Sequence, residues 1–382
     1  MKILLIGEYS GVHTTIAKKI KESKEYDINI IHDGDGYKNF KPDILIKIEG
    51  KVFNNRVLRK FYALYKLLLN FFGLTGAFKI LKYRKELRKL KNYDVVQLIN
   101  PIFLSGFGAW VNLLIFFYLR RNNKKIVLLA VGDDTAWVKA CLYKKIEYSF
   151  FDRMNVKNIL KFLPTLFHLY SPAYYLLNKY VVRNSDVIVA GVYDYYLAYY
   201  GECDNLVYIP LSIEINSDIV PFKFNGYPIK IFHGWQLGRD FKKGNDIFDR
   251  AILKLKDNFL DKIDYQIVSN VSYNEYIKLF NDSIIFIDQC YSMDKGINAL
   301  LGMAHAKVVL SGNDDVLEKY DSNVKKSLIN ALPDENEIYA ELEKLIKNPK
   351  LLEYYSENAY DYVNKNHNIS HNIMKFIEVW RA

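Results

Sequence analysis

The sequence predicts an α/β protein made of two Rossmann-like, doubly wound domains facing a common cleft. Three observations lead there. The chain has 382 residues, 50% hydrophobic and 25% charged, which is too long for one ordinary core and suits two α/β domains. Short, wholly apolar runs alternate with helical stretches twice along the chain, and strands that are apolar throughout imply parallel sheets covered on both faces. Between the two alternations, Pro210, Pro221, Gly226 and Pro228 punctuate a stretch without periodicity, which reads as an interdomain connection.

In the first half, strands are expected at Ile3–Ile6, Ile28–Ile31, Ile44–Ile48, Val95–Ile99, Ile126–Ala130, Val187–Ala190 and Val207–Ile209. Helices are expected at Thr14–Lys21, Arg56–Asn70, Phe78–Lys91, Trp110–Leu119 and Ala173–Arg183. These make an N-terminal domain over 1–212, followed by a linker over 213–228. The second alternation, over 229–364, has strands at Ile229–Phe232, Tyr265–Val268, Ile284–Ile287 and Val308–Leu310. Its helices fall at Asn245–Lys256, Tyr273–Leu279 and Asn298–His305, and the polar helices Asn336–Lys347 and Leu351–Asn364 end it. A last helix, Ser370–Trp380 within 365–382, is expected to pack back on the first domain. Ligands of doubly wound sheets bind beyond the carboxyl ends of the strands, so function is sought in the loops that follow them.

Composition narrows the function classes. Cys141, Cys203 and Cys290 show no metal-ligand spacing, so neither a disulfide framework nor a metal site is expected, and a reducing cytoplasm fits. The apolar run that ends at Gly7 is too short for a signal-peptide core. Pro101–Leu119 is almost wholly apolar, but it contains Ser105, Gly106, Gly108 and Asn112 and leads straight into a strand. It reads as a helix buried against a sheet rather than a membrane span.

Two stretches of the second half carry chemistry. After the strand at 229–232, a loop holds Arg239, Lys242, Lys243 and Gly244 and opens a helix. Fixed cations beside a helix amino end suit a diphosphate, with Arg giving planar paired hydrogen bonds and Lys a mobile charge; a solvated basic loop is the structural alternative. After the strand at 284–287, a loop leads to Gly296, Ile297 and Asn298, whose backbone amides at a helix start could cradle a phosphate.

Together these stretches resemble the donor-nucleotide half of the family 4 glycosyltransferases, bacterial surface-polysaccharide enzymes of the GT-B fold. Gly238-Arg239 and Lys243-Gly244 match the family's first motif. Gly296, Met303-Ala304 and Lys307-Val308-Val309 match the second without a gap. Ile209-Pro-Leu-Ser-Ile and the span from Leu345-Ile-Lys-Asn-Pro to Asn358-Ala are similar to its linker and closing helices. The resemblance implies transfer of a sugar, with retention, from a nucleotide diphosphate donor to a glycan or lipid-linked acceptor. It assigns Arg239 and Lys243 to the diphosphate and the Gly296 loop to its amide cradle, and it requires no cofactor because the nucleotide sugar is the substrate. The sequence departs from the family at its two glutamates, whose places are taken by Met293 and Leu301, neither of which accepts a hydroxyl hydrogen bond as a carboxylate does. Asp294 and Asp288 are the nearby acids that could substitute. The same departure motivates a non-catalytic nucleotide-sugar or glycan-binding partner of another transferase, and a GT-B epimerase is a third reading.

In the first half, Gly7-Glu-Tyr-Ser-Gly-Val-His joins the first strand to the first helix. Gly11 is a candidate to present its amide to a ligand there, and His13 serves either at the acceptor or as a packed helix residue. The loop lacks the glycine spacing of a dinucleotide fingerprint. Asp133 and Asp134 follow another strand, where they could bind acceptor hydroxyls or act as a base, or simply form a turn. Residues 51–91 hold twelve basic side chains against Glu86 alone, in a chain of net charge +10. They alternate with apolar residues at helical spacing, a pattern that suits anionic lipid at the inner face of the cell membrane as well as a solvated helix face. No nucleic-acid motif accompanies the charge.

Overall fold

The computed structural model describes residues 1–34, 40–46, 54–235, 238 and 240–382. They form two compact units: unit 1 comprises 1–145, 154–210 and 372–382, and unit 2 comprises 146–153 and 211–371. Each unit holds one fully parallel sheet, of seven strands in unit 1 and five in unit 2.

Unit 1 runs β1 (Lys2–Ile6), α1 (Val12–Ser23), β2 (Asp27–His32), β3 (Ile44–Leu45), α2 (Arg56–Phe71), α3 (Arg84–Leu87), β4 (Val95–Leu98), α4 (Ala109–Asn122) and β5 (Lys125–Ala130). It continues with α5 (Thr135–Leu142), α6 (Ile159–Tyr170), α7 (Pro172–Asn184), β6 (Val187–Ala190), α8 (Tyr193–Tyr199) and β7 (Leu206–Tyr208). The strand order is β3-β2-β1-β4-β5-β6-β7. Ile3, Leu4, Leu5, Val96, Leu98 and the whole run Ile126–Ala130 are buried, as parallel strands covered on both sides must be. The apolar 101–119 stretch becomes a loop and α4, packed with Ile115, Phe116 and Leu119 inward; among the described residues no helix is long and apolar enough to cross a membrane.

Unit 2 contains β8 (Ile229–Gly234), α9 (Asp240–Lys243), α10 (Asn245–Asn258), β9 (Ile263–Val268), α11 (Tyr273–Asp282), β10 (Ile285–Ile287), α12 (Ile297–Ala304), β11 (Val308–Ser311), α13 (Val324–Ser327), β12 (Ile329–Asn330), α14 (Glu335–Lys347) and α15 (Lys350–Asn366). The chain closes with α16 (Ile369–Arg381), most of which clusters with unit 1. The unit 2 sheet is ordered β12-β11-β10-β8-β9. The aperiodic segment before β8 lies along α15, where Phe222 N–H donates to Ser356 Oγ (2.7 Å) and Phe224 N–H to Glu353 Oε1 (3.1 Å).

One expected helix is broken. Residues 79–83 form a 3₁₀ turn and only Arg84–Leu87 follows as α-helix. Lys82, Lys85 and Lys89, like Arg84 and Arg88, stand three or four residues apart, and like charges at that spacing destabilise a continuous helix. Residues 47 and 48 of the expected third strand lie outside the described residues.

Candidate functional site

Strand order reverses at one point in each sheet, and there the loops after two neighbouring strands separate to leave a crevice. In unit 2 the reversal lies between β8 and β10. The loop after β8 leads through α9 to Lys243 and Gly244; the loop after β10 runs from Asp288 to Gly296 and opens α12. The two loops are fastened together. Cys290 N–H donates to the Lys243 carbonyl (3.0 Å), and the Lys243 ammonium meets Asp288 Oδ1 at 2.7 Å. Asp288 is almost completely buried and takes a second hydrogen bond, from Ser311 Oγ, at 3.1 Å. Gly244 is required at this joint: its φ is +76°, and a Cβ there would lie 2.2 Å from Cys290 Sγ.

Behind the joint sits a polar relay that sequence reading missed. Tyr265 OH donates to Asp249 Oδ1 (3.0 Å), so it accepts from His233 Nδ1–H (2.7 Å); His233 Nε2 in turn accepts from the Asn245 amide (2.9 Å). This fixes a neutral His233, pulled down to about 3 by burial and by the nearby Lys243 charge. Asn245 Nδ2 also reaches Gly234 O at 3.1 Å, tying the start of α10 to the end of β8. The only sequence signal was a histidine ending an apolar strand. Arg153, from the 146–153 segment of unit 2, adds a paired ionic contact to Asp246 at 2.5 and 2.6 Å.

Of the residues assigned to the diphosphate, the structure brings Lys243 and the Gly296–Asn298 helix start onto adjacent loops. Gly296 is the N-cap of α12, without a side-chain cap, and no acidic residue occupies the first turn. A helix start of that kind presents positive potential. Arg239 lies outside the described residues. Lys242 is laid over the Phe150 ring, 5.0 Å from its centroid.

The substitute acids behave otherwise than expected. Asp294 is buried, and its carboxylate pairs with the buried Lys295 ammonium at 3.0 Å, beneath the Tyr362 ring. Its neighbour Met293 is buried, and Leu301 is half-buried on α12. Asp294 is therefore spent on a buried ion pair, because an unpaired carboxylate at that depth would be strongly unfavourable.

In unit 1 the reversal lies between β1 and β4. The expected role of Gly11 is corrected here. Its N–H donates to Glu8 Oε1 (2.9 Å), while Glu8 Oε2 takes the N–H (2.8 Å) and hydroxyl (2.6 Å) of Thr14. The protein's own carboxylate thus takes the Gly11 amide at the start of α1, which was expected to face a ligand. Of the two roles open to His13, the structure places it as the packed core residue, away from the acceptor role. It is fully buried; Nδ1–H donates to Gly7 O (2.8 Å), and Nε2 accepts from Gln97 (3.2 Å), whose Oε1 takes Trp380 Nε1–H at 2.9 Å. Burial, partly opposed by the Gly7 bond, pulls its pKa down to about 3.

Asp133 is half-buried and accepts from Thr165 Oγ1 at 3.0 Å. Asp134 is the N-cap of α5, accepting from Trp137 N–H (2.8 Å) and Tyr199 OH (2.8 Å), and burial pushes it up to about 6 against those bonds. Its place is structural.

A cavity of about 800 Å³ opens at the amino ends of β8, β10 and β11, the far end of the unit 2 sheet. It lies away from the carboxyl ends of the strands, where such sheets bind ligands, and its lysines serve the fold: Lys307 bonds the carbonyls of Asn281 and Ser283, and Lys230 bonds Asp282. The loops at the reversal remain the better site.

No protein-family model and no curated protein matches the sequence. Similarity appears in solved structures. Sucrose-phosphate synthase from Thermosynechococcus elongatus superposes with a TM-score of 0.60 at 10% identity, covering 100% of this chain and 98% of that one. HepE from Anabaena, in complex with UDP and glucose, gives 0.56 at 10% identity over 99% of both chains. A glycosyltransferase from Rickettsia africae gives 0.53 at 15% identity, over 100% and 97%. Two parallel-sheet domains that match such structures along their whole length give this chain the GT-B fold.

Proposed function

We propose that the chain is a glycosyltransferase that moves a sugar, with retention, from a nucleotide diphosphate donor to a glycan or lipid-linked acceptor in cell-surface polysaccharide synthesis. The observation that carries this reading is the pairing of Lys243 with an acid-free helix start at the unit 2 reversal. As the bond from the anomeric carbon to the diphosphate breaks, negative charge grows on the departing oxygen. Lys243, Arg239 and the amides at 296–298 are the groups that would stabilise it. Supporting the donor class, HepE shares the fold and is seen with UDP and with UDP-glucose.

One observation favours a second reading, a non-catalytic binder of a nucleotide sugar or glycan. Asp288 is paired with Lys243 and Asp294 with Lys295, and Met293 and Leu301 stand where the family's glutamates would be. An epimerase is a third class, since a Listeria monocytogenes protein described as a UDP-N-acetylglucosamine 2-epimerase matches at a TM-score of 0.51 and 9% identity.

The test begins with thermal-shift screening of the purified chain against a panel of nucleotide sugars, because a ligand stabilises according to its concentration over its dissociation constant. Turnover is then measured with the stabilising donor, with and without acceptor. Transfer by the wild type that falls about 100-fold in Arg239→Ala supports the transferase. Binding without turnover selects the second reading, and an isomerised sugar formed without acceptor selects the epimerase. Full transfer by Arg239→Ala contradicts the assigned diphosphate site, and no stabilisation by any nucleotide sugar removes all three.

A further inference from the structure

α2 is amphipathic, yet none of its residues is buried. Val57, Leu58, Phe61, Leu64, Tyr65 and Leu68 recur three and four positions apart, which gathers them on one side of the helix, and each is at least half exposed. Beyond the helix, Phe72, Phe78 and Leu81 are also exposed, Phe78 at 88%. A folded chain rarely leaves an apolar stripe of that length to water without a use for it.

The charges indicate the use. Arg56, Arg59, Lys60 and Lys66 occupy the other side of α2, and the 79–91 segment adds seven more cations against the single acid Glu86. α6, which packs on the end of α2 through Phe71 and Phe167, carries exposed Ile159 and Leu160 beside Lys161 in its own first turn. A second copy of the chain would bring the same positive charge to the contact. A nucleic acid would match the charge but leave Val57, Leu58, Leu64 and Leu68 in water. Only a surface that is both anionic and apolar beneath satisfies both halves of the helix.

We propose that α2 and the 78–91 segment dock unit 1 onto an anionic lipid bilayer. α2 lies in the plane of the interface, with Phe61, Leu64 and Leu68 among the acyl chains and the Lys and Arg heads among the lipid phosphates. The proposal rests on unit 1 alone, so its failure leaves the nucleotide reading as it stands.

The test is co-sedimentation of the full chain with vesicles of phosphatidylcholine alone or mixed with phosphatidylglycerol, at low and high salt. Binding is expected only to the mixed vesicles and should weaken with salt. Phe61→Ser with Leu64→Ser should lower partitioning about tenfold or more, by removing the inserted side chains. Lys60→Gln with Lys66→Gln should lower it about 25-fold, at roughly fivefold per cation near the surface. All four side chains are exposed, so both variants should keep the wild-type circular dichroism and melting temperature. Equal binding to both vesicle types, no binding to either, or full binding by the Phe61→Ser/Leu64→Ser protein overturns the proposal. So does a dimer in sedimentation velocity that the same pair of substitutions dissolves.

Discussion

The two sheet reversals are the same topological feature with opposite chemical furnishing. At β1/β4 of unit 1, the start of α1 is closed by Glu8, whose carboxylate takes three hydrogen bonds from Gly11 and Thr14. At β8/β10 of unit 2, the start of α12 has no acid in its first turn, and the cation Lys243 stands on the adjoining loop. Behind each lies a buried neutral histidine, His13 in one and His233 in the other. Topology therefore supplies two equivalent crevices, and the side chains at their helix starts distinguish them: an acid closes the first, while a lysine paired with Asp288 borders the second.

Backbone crowding offers the largest effect with which to sharpen this contrast. Gly244→Ala should cost unit 2 about 4 kcal/mol, from the strained φ and from the clash with Cys290 Sγ, read by denaturant unfolding. Gly7→Ala should cost unit 1 as much, since its φ is +87° and its Cβ would lie 2.3 Å from the Phe103 carbonyl oxygen. Adding Cys290→Ala should recover part of the first loss. The second is set chiefly by the Phe103 backbone, with Ile99 Cγ2 a further 2.5 Å contact, so trimming Ile99 should recover less than Cys290→Ala does; Cys290→Ala that recovers nothing would show the Gly244 contact to be misassigned.

Acid should separate the units next. A histidine held near 3 in the folded state and near 6.5 in the unfolded chain binds protons on unfolding, so stability present above pH 6.5 is lost as pH falls toward 3. Each histidine contributes about 3 kcal/mol of that loss by pH 4. In unit 1 Asp134 acts in the other sense. Raised to about 6, it is more protonated when folded, so its share of stability is lost as pH rises from about 4 to 6. The two terms nearly cancel in unit 1 across that window and leave His233 unopposed in unit 2. Amide exchange followed from pH 7 to 4 should show unit 2 losing protection first; equal loss, or earlier loss in unit 1, would break the contrast.

A smaller effect is expected of Glu8→Gln. The amide can accept from Gly11 or from Thr14 but not from all three donors, so unit 1 should lose about 2 kcal/mol. Nucleotide affinity should not change, as judged by titration calorimetry.

Much of the fold was legible because its signals are local. Runs such as Ile126–Ala130 and Ile285–Ile287 are apolar on both faces, and only a covered parallel sheet accommodates that. Gly244 and Gly296 marked two helix starts, each from a local motif of its own. The site was less legible because its decisive contacts join residues far apart in sequence. Nothing near Asp294 in the chain announces Tyr362 over its partner Lys295, and nothing near His13 announces the Gln97–Trp380 relay. Glu8 is the exception: an acid three residues before a helix-opening glycine was a local hint that the helix start was already occupied. The 79–91 stretch does not form one helix because its apolar periodicity is opposed by repulsion between cations at helical spacing.

The central claim, that an anionic diphosphate belongs at the unit 2 reversal, is tested most directly by titrating UDP into the wild-type chain and into Lys243→Gln, whose amide can still donate toward Asp288 and whose fold is checked by circular dichroism and melting temperature. Loss of a charge-assisted contact predicts affinity about tenfold or more weaker in the variant, with the Glu8→Gln protein unchanged. Equal affinity in Lys243→Gln, or a loss confined to Glu8→Gln, would place the diphosphate elsewhere and contradict the account.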